Sequence, residues 1–240
     1  MRGSVADCVA GVSLSIIIPA LNEAAQIASV LVRLDPLRRR GVQLILVDGG
    51  STDQTIALAA PLVDLVVQAP RGRAAQMNAG AAMATGDVVL FLHADTTLPE
   101  HADTLIANAL SGDTRAWGRF DITLTGAHPM LAIIAAMMNW RSRLSGIATG
   151  DQALFLRRDV FVQLSGYASI ALMEDIELSR RLKKISRPAC LRDKVSSAGR
   201  RWEQHGIWRT IWLMWRLRLA YFLGADPAAL ARAYGYTKAS

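Results

Sequence analysis

Short, unbroken apolar runs punctuate the first hundred residues at regular intervals. Leu14-Ser15-Ile16-Ile17-Ile18 ends at Pro19, Gln43 to Val47 ends at Asp48, Leu62 to Val67 ends before a polar stretch, and Val88 to Leu92 ends at His93. Each has the length and β-branched content of a strand buried on both faces. Between them lie helical stretches: Asn22 to about Arg40, with apolar positions at Ile27, Val30, Leu31 and Leu34; a segment opening near Gln54 with Ser51 or Thr52 as its cap; and Ala74 to Ala84. Strands alternating with helices predict an α/β fold, a mostly parallel sheet covered by helices. Ligands of such sheets gather at the carboxyl ends of the strands. In this chain those ends carry Pro19 to Glu23, Asp48 to Asp53 and His93 to Thr96.

The pattern loosens beyond residue 100. A strand is expected at Trp117 to Leu124, a helix at Pro129 to Arg143, a strand following Gly150 to Phe155, and an amphipathic helix at Leu172 to Lys184. Arg201 to Leu223 and Pro227 to Tyr236 read as terminal helices. The expected organisation is a tail over residues 1–13, a catalytic-type domain over 14–200 and a basic, Trp-rich helical extension over 201–240.

Of the 240 residues 52% are hydrophobic and 20% charged, which excludes intrinsic disorder. Cys8 and Cys190 make neither a disulfide framework nor a zinc pattern, so a reducing, cytoplasmic setting is expected. Residues 178–240 hold 14 Lys and Arg against three acids, whereas the preceding body is slightly acidic. Such a basic end either contacts phosphates or is a solvated face. Trp208, Trp212 and Trp215 recur at helical spacing; the stripe reads first as core-facing, and otherwise as an anchor at the inner face of a membrane. Arg209, Arg216 and Arg218 interrupt the Ile207 to Leu223 run, which makes it a poor membrane span.

Several polar groups could carry chemistry. Asp95 follows a buried strand and either caps a turn or holds a hard divalent cation against phosphate oxygens. His93 shares its face if strand geometry persists. Glu174 and Asp175 open a helix, as dipole partners or as a proton acceptor with its orienting neighbour. Asp48 precedes two glycines, and Arg71-Gly72-Arg73 stands at a helix entrance suited to a diphosphate. His205 either ligates the same metal as Asp95 or caps a helix. There is no P-loop, dinucleotide fingerprint, His-Glu-x-x-His pair or Gly-x-Ser-x-Gly elbow.

In order along the chain, Ile16 to Glu23, Val47 to Asp53, Gly72 to Asn78, Leu92 to Asp95, Gly150-Asp151-Gln152, Glu174-Asp175 and Arg200-Arg201-Trp202 resemble the inverting family-two glycosyltransferases of the GT-A fold. The Arg-Arg-Trp-Glu-x-His-Gly run and the helical tail are similar to those of the radical-SAM/selenodomain-associated transferase subgroup. The resemblance implies a metal-dependent inverting transfer of a sugar from a nucleotide-diphosphate donor, UDP first and GDP second, to an acceptor hydroxyl. It implies that Pro19, Ala20, Glu23 and Asp48 line the base and ribose pocket and that Arg73 lies near the base or diphosphate. By the same resemblance Asp95 holds Mg or Mn, and Asp175 deprotonates the acceptor beside Glu174. Arg201 and Trp202 would stand near the diphosphate and acceptor channel. Two positions depart from the family pattern: His93 replaces the first acid of Asp-x-Asp, leaving the metal to Asp95 with His205 or waters, and Gly49 replaces a frequent second Asp. An interfacial tryptophan stripe would imply a lipid or lipid-linked acceptor and peripheral membrane contact. The other readings are a noncatalytic nucleotide-sugar or anionic-membrane binding protein on the same fold, then nucleotidyl transfer. Nucleic-acid binding is disfavoured by the acidic body and the lack of a recognition motif.

Overall fold

The computed structural model describes residues 12–112, 114–199, 202 and 206–235. The strands are β1 (Leu14–Ala20), β2 (Gln43–Asp48), β3 (Leu65–Gln68), β4 (Val88–Phe91), β5 (Thr96–Thr97), β6 (Trp117–Thr125), β7 (Phe155–Arg157) and β8 (Ala189–Ala198). They form one eight-stranded sheet in the order β3-β2-β1-β4-β7-β6-β8-β5. β3, β2, β1 and β4 run parallel, as the alternating pattern predicts. β7 joins antiparallel to both β4 and β6, so the second half of the sheet is mixed.

Alternation along β1 and β2 divides the core in two. Ile16, Ile18, Leu44 and Leu46 pack with Ile27, Leu31 and Leu34 of α1 (Ile27–Arg39) on one face. Ile17, Ile45 and Val47 pack with Ala74, Met77 and Ala81 of α3 (Arg73–Ala82) on the other. Both faces are covered, which is why these strands read as continuous apolar runs. The small residues of α3 let it lie close on the sheet: a Cβ at Gly80 would come within 2.5 Å of Ile17 and 2.7 Å of Val47.

Several boundaries differ from the sequence expectation. α1 begins at Ile27, because Asn22 takes a left-handed φ of 54° and residues 22–24 bond to the loop after β2. α2 (Thr55–Ala59) is capped by neither Ser51 nor Thr52; Ser51 Oγ accepts from the Asn22 N–H, and Asp53 accepts from Thr55. α4 (Ala102–Leu110), β5 and β8 were not anticipated. β8 pairs parallel with β6 through a register shift that leaves Arg192 and Asp193 out of the ladder. Those charged residues disguise it as a loop.

α5 (Met130–Ser145), α6 (Arg158–Gln163) and α7 (Glu174–Leu182) complete the body. α8 (Ile207–Phe222) and α9 (Pro227–Tyr234) form the helical extension. Asp226 caps α9 by accepting from the Ala228 and Ala229 N–H groups. Leu217, Leu230 and Ala231 of the extension pack on Leu172, Met173 and Ile176 at the start of α7.

The core-facing reading of the tryptophan stripe is overturned. Trp208, Trp212 and Trp215 are 73%, 63% and 64% exposed, while Thr210 and Leu217 are buried and Leu213 is partly so. α8 is apolar almost all round, so its periodicity left the inner face undecided. The slimmer Thr and Leu side chains take the close contact, and the indoles stay outside. None of the described helices is long and apolar enough to cross a membrane.

Candidate active site

The loops after β1 and β2 are laced together. Thr52 N–H donates to Asn22 Oδ1 (2.8 Å), Glu23 N–H to Thr55 Oγ1 (2.8 Å) and Ala24 N–H to Asp53 Oδ2 (3.1 Å). Beneath them the buried Gln76 Nε2 donates to the carbonyls of Ala20 (2.9 Å) and Val47 (2.8 Å), tying the strand ends together. This explains Gly49, since a Cβ there would sit 3.0 Å from the Gln76 amide. Asp48 is almost wholly buried. Its Oδ2 accepts from the Gly50 and Ser51 N–H groups (2.8 and 2.9 Å), while its Oδ1 has no partner among the described residues. A cavity of about 370 Å³ lies against it, lined also by Gly50, Ser51, Ile56, Gln68, Ala69 and Pro70. A buried, unpartnered carboxylate oxygen at a cavity wall is an acceptor waiting for a donor.

The second half of the crevice gathers charged groups from four elements. β4 ends at Phe91, and the chain turns at His93, whose carbonyl accepts from the Thr96 N–H (3.0 Å). Strand geometry therefore does not persist, and strand alternation does not place His93 and Asp95 on one face. The His93 ring packs on Gly150, where a Cβ would meet Nε2 at 2.5 Å, and its Nδ1 lies 3.1 Å from Asp151 Oδ1. Asp95 is half-buried and accepts a 3.2 Å hydrogen bond from Thr96 Oγ1. Gly150 N–H donates to Asp175 Oδ2 (2.8 Å), and Ile176 N–H donates to Oδ1 (2.7 Å). Met173, immediately before Glu174, holds a left-handed φ of 71°, a strained conformation that sets the entry angle of α7.

Environment splits the acids of this crevice. Burial and then the charge of Asp175 push Glu174 up to about 7, against the pull of Arg73 and His93. Burial acts upward on Asp151 too, but the hydrogen bond and charge of His93, with Arg73 and Arg218 behind it, hold that carboxylate at about 2. Asp151 is therefore ionised, and the His93 Nδ1–H donates to it. Acids that line one crevice with opposed proton affinities are the pattern of an acid–base site.

The structure brings together Asp151, Glu174 and Asp175 with the charge of Arg73, and it puts Asp48 in a separate wall. Pro19, Ala20 and Glu23 stand at the β1 end, and Trp202 is half-buried with its backbone N–H donating to Gly199 O (2.9 Å). Arg201 and His205 lie outside the described residues. Sequence reasoning missed three charged residues: Asp151, quoted only within a motif, Arg141 of α5 and Arg218 of α8. Arg218 had registered merely as an interruption of an apolar run. An arginine inside an otherwise apolar helix was the available signal.

A divalent cation fits this site in one form. Among the described residues no three His, Cys, Asp or Glu side chains cluster to hold an ion unaided. Asp95 keeps open lone pairs at a strand end, and one carboxylate with diphosphate oxygens and water is an ordinary ligand set for Mg or Mn.

The sequence model for glycosyl transferase family 2 matches residues 15–161. A PGL/p-HBAD biosynthesis glycosyltransferase of Mycobacterium bovis is 43% identical over 98 residues, which are 38% of this chain and 38% of that protein. The chain thus matches well under half the length of that curated relative. Among solved structures, glucosyl-3-phosphoglycerate synthase from Mycobacterium tuberculosis, in complex with Mn2+, uridine diphosphate and glucosyl-3-phosphoglycerate, superposes with a TM-score of 0.59 at 20% identity over 78% of this chain and 71% of that one. The mannosyltransferase PcManGT from Pyrobaculum calidifontis, in complex with GDP-Man and Mn2+, does so with 0.61 at 21% identity over 93% and 69%. The curled, mixed α/β sheet is that of the GT-A glycosyltransferases, and the chain belongs to glycosyl transferase family 2.

Proposed function

We propose that this transferase moves a sugar from a nucleoside-diphosphate donor to an acceptor hydroxyl by a single inverting displacement. The observation that carries the reading is the crevice in which Asp151, Glu174 and Asp175 meet at the sheet's carboxyl end. The unpartnered Asp48 Oδ1 suits the ring N–H of uracil or of guanine, and UDP and GDP-Man are bound in the structural neighbours. Pro19, Ala20 and Glu23 would complete the base and ribose wall, with Arg73 and Trp202 toward the diphosphate. Arg201 belongs to the same proposed set. Asp95 would hold Mg or Mn, and the bound cation would supply charge stabilisation to the leaving diphosphate. His205 is proposed as its second protein ligand.

In the displacement the acceptor oxygen bonds to the anomeric carbon as the sugar–phosphate bond breaks and its electron pair leaves with the diphosphate. The acceptor's proton goes to Asp175. Its two oxygens, each fixed by one backbone N–H, keep lone pairs for that proton without needing to reorient. Glu174 alongside holds its own proton near neutrality, which limits the negative charge crowded around the base.

The exposed Trp208, Trp212 and Trp215, interleaved with exposed Arg209 and Arg216, support peripheral membrane contact and a lipid or lipid-linked acceptor. Arg216 stacks 4.9 Å above the Trp212 ring, which keeps cation and indole on one surface. Membership of the radical-SAM/selenodomain-associated subgroup is proposed on residues 200–206 and the helical tail.

Thermal stabilisation by a panel of nucleoside diphosphates, with and without Mn, tests the donor site. One diphosphate should give a Mn-dependent shift that Asp95→Ala abolishes; no shift with any nucleotide defeats the reading. Asp175→Asn should keep nucleotide affinity and lose turnover by at least 100-fold, the scale of general-base catalysis. Net retention at the anomeric carbon, read by NMR of the product, would remove Asp175 from the role of base.

A further inference from the structure

Most of the described arginines near the core spend their donors on acids and carbonyls. Arg119, completely buried, donates through Nη1 to Asp121 and through Nη2 to Asn139 O, which leaves only its Nε without a partner among the described residues, and Arg143 donates to the other oxygen of Asp121. Arg181 donates to Glu177 and to the carbonyls of Leu164 and Gly166. Arg141 of α5 differs. Its Nε and Nη2 are shut off from solvent, and neither has a hydrogen-bond partner among the described residues. A guanidinium fork buried without an acceptor is costly, and a chain tolerates it where a ligand completes it.

A second arginine faces the same acids from another helix. Burial first, and then Arg218, lower the pKa of Arg141 to about 10, while Asp175 and Asp151 act in the opposite direction. Burial likewise lowers Arg218, against Asp175 and Asp151. A guanidinium is cationic at neutral pH. They approach the base from the α5 and α8 side, whereas Asp48 and its cavity lie at the β2 end. Two cations, one with idle donors, therefore act on the proposed base from elements that take no part in the wall around Asp48. A planar, two-pronged donor matches the oxygens of a phosphate.

We infer that Arg141 and Arg218 form an anion subsite for the acceptor, which carries a phosphate that docks between α5 and α8 while its hydroxyl meets Asp175. The inference rests on the transferase reading and deepens it by naming the acceptor's class. The phosphate belongs either to a small soluble acceptor or to a lipid headgroup.

The test uses the full chain saturated with the nucleoside diphosphate and Mn that stabilise it. Inorganic phosphate and glycerol 3-phosphate are titrated in, with glycerol as the neutral control. Both phosphates should raise the melting temperature further and glycerol should not. Arg141→Met and Arg218→Gln should each weaken that response at least tenfold while changing nucleotide affinity less than twofold. Arg218→Lys, which keeps the charge and loses the fork, should fall between. Without ligand, Arg141→Met should melt about 2–4 °C higher than the wild type, because an unpaired buried cation is gone. An arginine kept for structure alone would melt lower on replacement. Vesicles of phosphatidylglycerol, compared with phosphatidylcholine, separate the sources: retention lost in both variants identifies a lipid headgroup, and a response to glycerol 3-phosphate alone identifies a soluble acceptor. Phosphate that competes with the nucleotide, a phosphate response that survives both substitutions, or vesicle retention that survives them without any glycerol 3-phosphate effect overturns the subsite. If no nucleoside diphosphate binds, the transferase reading fails, and the phosphate titration of the free protein still shows whether the arginine pair binds an anion.

Discussion

Glu174 and Asp151 titrate in opposite directions inside one crevice, and this gives the stability of the protein a readable pH signature. For Glu174 the folded value of about 7 lies above the ordinary 4.5. Below pH 4.5 both folded and unfolded chains hold its proton. Between about 4.5 and 7 the unfolded chain releases the proton and the folded chain keeps it, so stability falls across that window and stays low above it. Glu174→Gln should therefore match the wild type near pH 4.5 and exceed it by roughly 2–3 kcal/mol at pH 8, measured by urea unfolding at the two pH values. A variant no more stable at pH 8 than the wild type would show that Glu174 does not carry this burden. The same substitution should erase an inflection near pH 7 in the rate profile, if the proton on Glu174 limits charge around Asp175. Asp151 has the reverse sign: its folded value of about 2 is below the ordinary 3.8, so its contribution is present above pH 3.8 and is lost as pH falls through 2. Neither value was legible in the sequence, because each depends on neighbours supplied by distant segments: His93 and Arg73 for Asp151, and the burial made by α8 and α9 for the start of α7.

Whole elements were more legible than single residues where one period dominated. β1, β2 and β4 announced themselves because helices cover both of their faces; β2 ends at Asp48, and β4 ends at Phe91, shortly before the turn that carries Asp95. β8 stayed hidden because its register shift turns Arg192 and Asp193 out of the ladder, and α8 was found with its faces reversed because leucine and tryptophan share the apolar signal. The fit of α3 against the sheet makes a prediction that propensity would get wrong. In an exposed helix Gly→Ala stabilises by roughly 1 kcal/mol. At Gly80 the added methyl would enter within 2.5 Å of Ile17 and 2.7 Å of Val47, both fully buried in a two-layer contact that cannot recede. Gly80→Ala should destabilise by about 1–3 kcal/mol through overpacking, as measured by chemical denaturation. It should also loosen Gln76, one turn away, and so weaken nucleotide binding through the strand ends that Gln76 clamps. An unchanged or higher midpoint would mean that α3 is not packed this closely.

At the scale of the molecule the extension packs on the start of α7, through a contact that can be cut. Leu217 is 2% exposed and packs with Leu230 and Ala231 on Leu172, Met173 and Ile176, the residues that lead into and open α7. One helical step away, Arg218 acts on Asp151 and Asp175. The nucleotide wall at the β1 and β2 ends is built without any of these residues. Leu217→Ala removes a buried side chain at this joint and should cost about 2–4 kcal/mol of the extension's docking. Because far-UV circular dichroism follows the helices of the extension while the buried Trp117 reports on the core, the two probes should separate in urea in the variant, where the wild type shows one transition. Affinity for the nucleoside diphosphate should stay within about twofold, while transfer to the acceptor slows through a raised acceptor KM, as the base and the arginine beside it lose their alignment. The opposite partition, weak nucleotide binding with normal acceptor kinetics, would place the extension on the donor side and dissolve the division of labour between the two halves of the crevice.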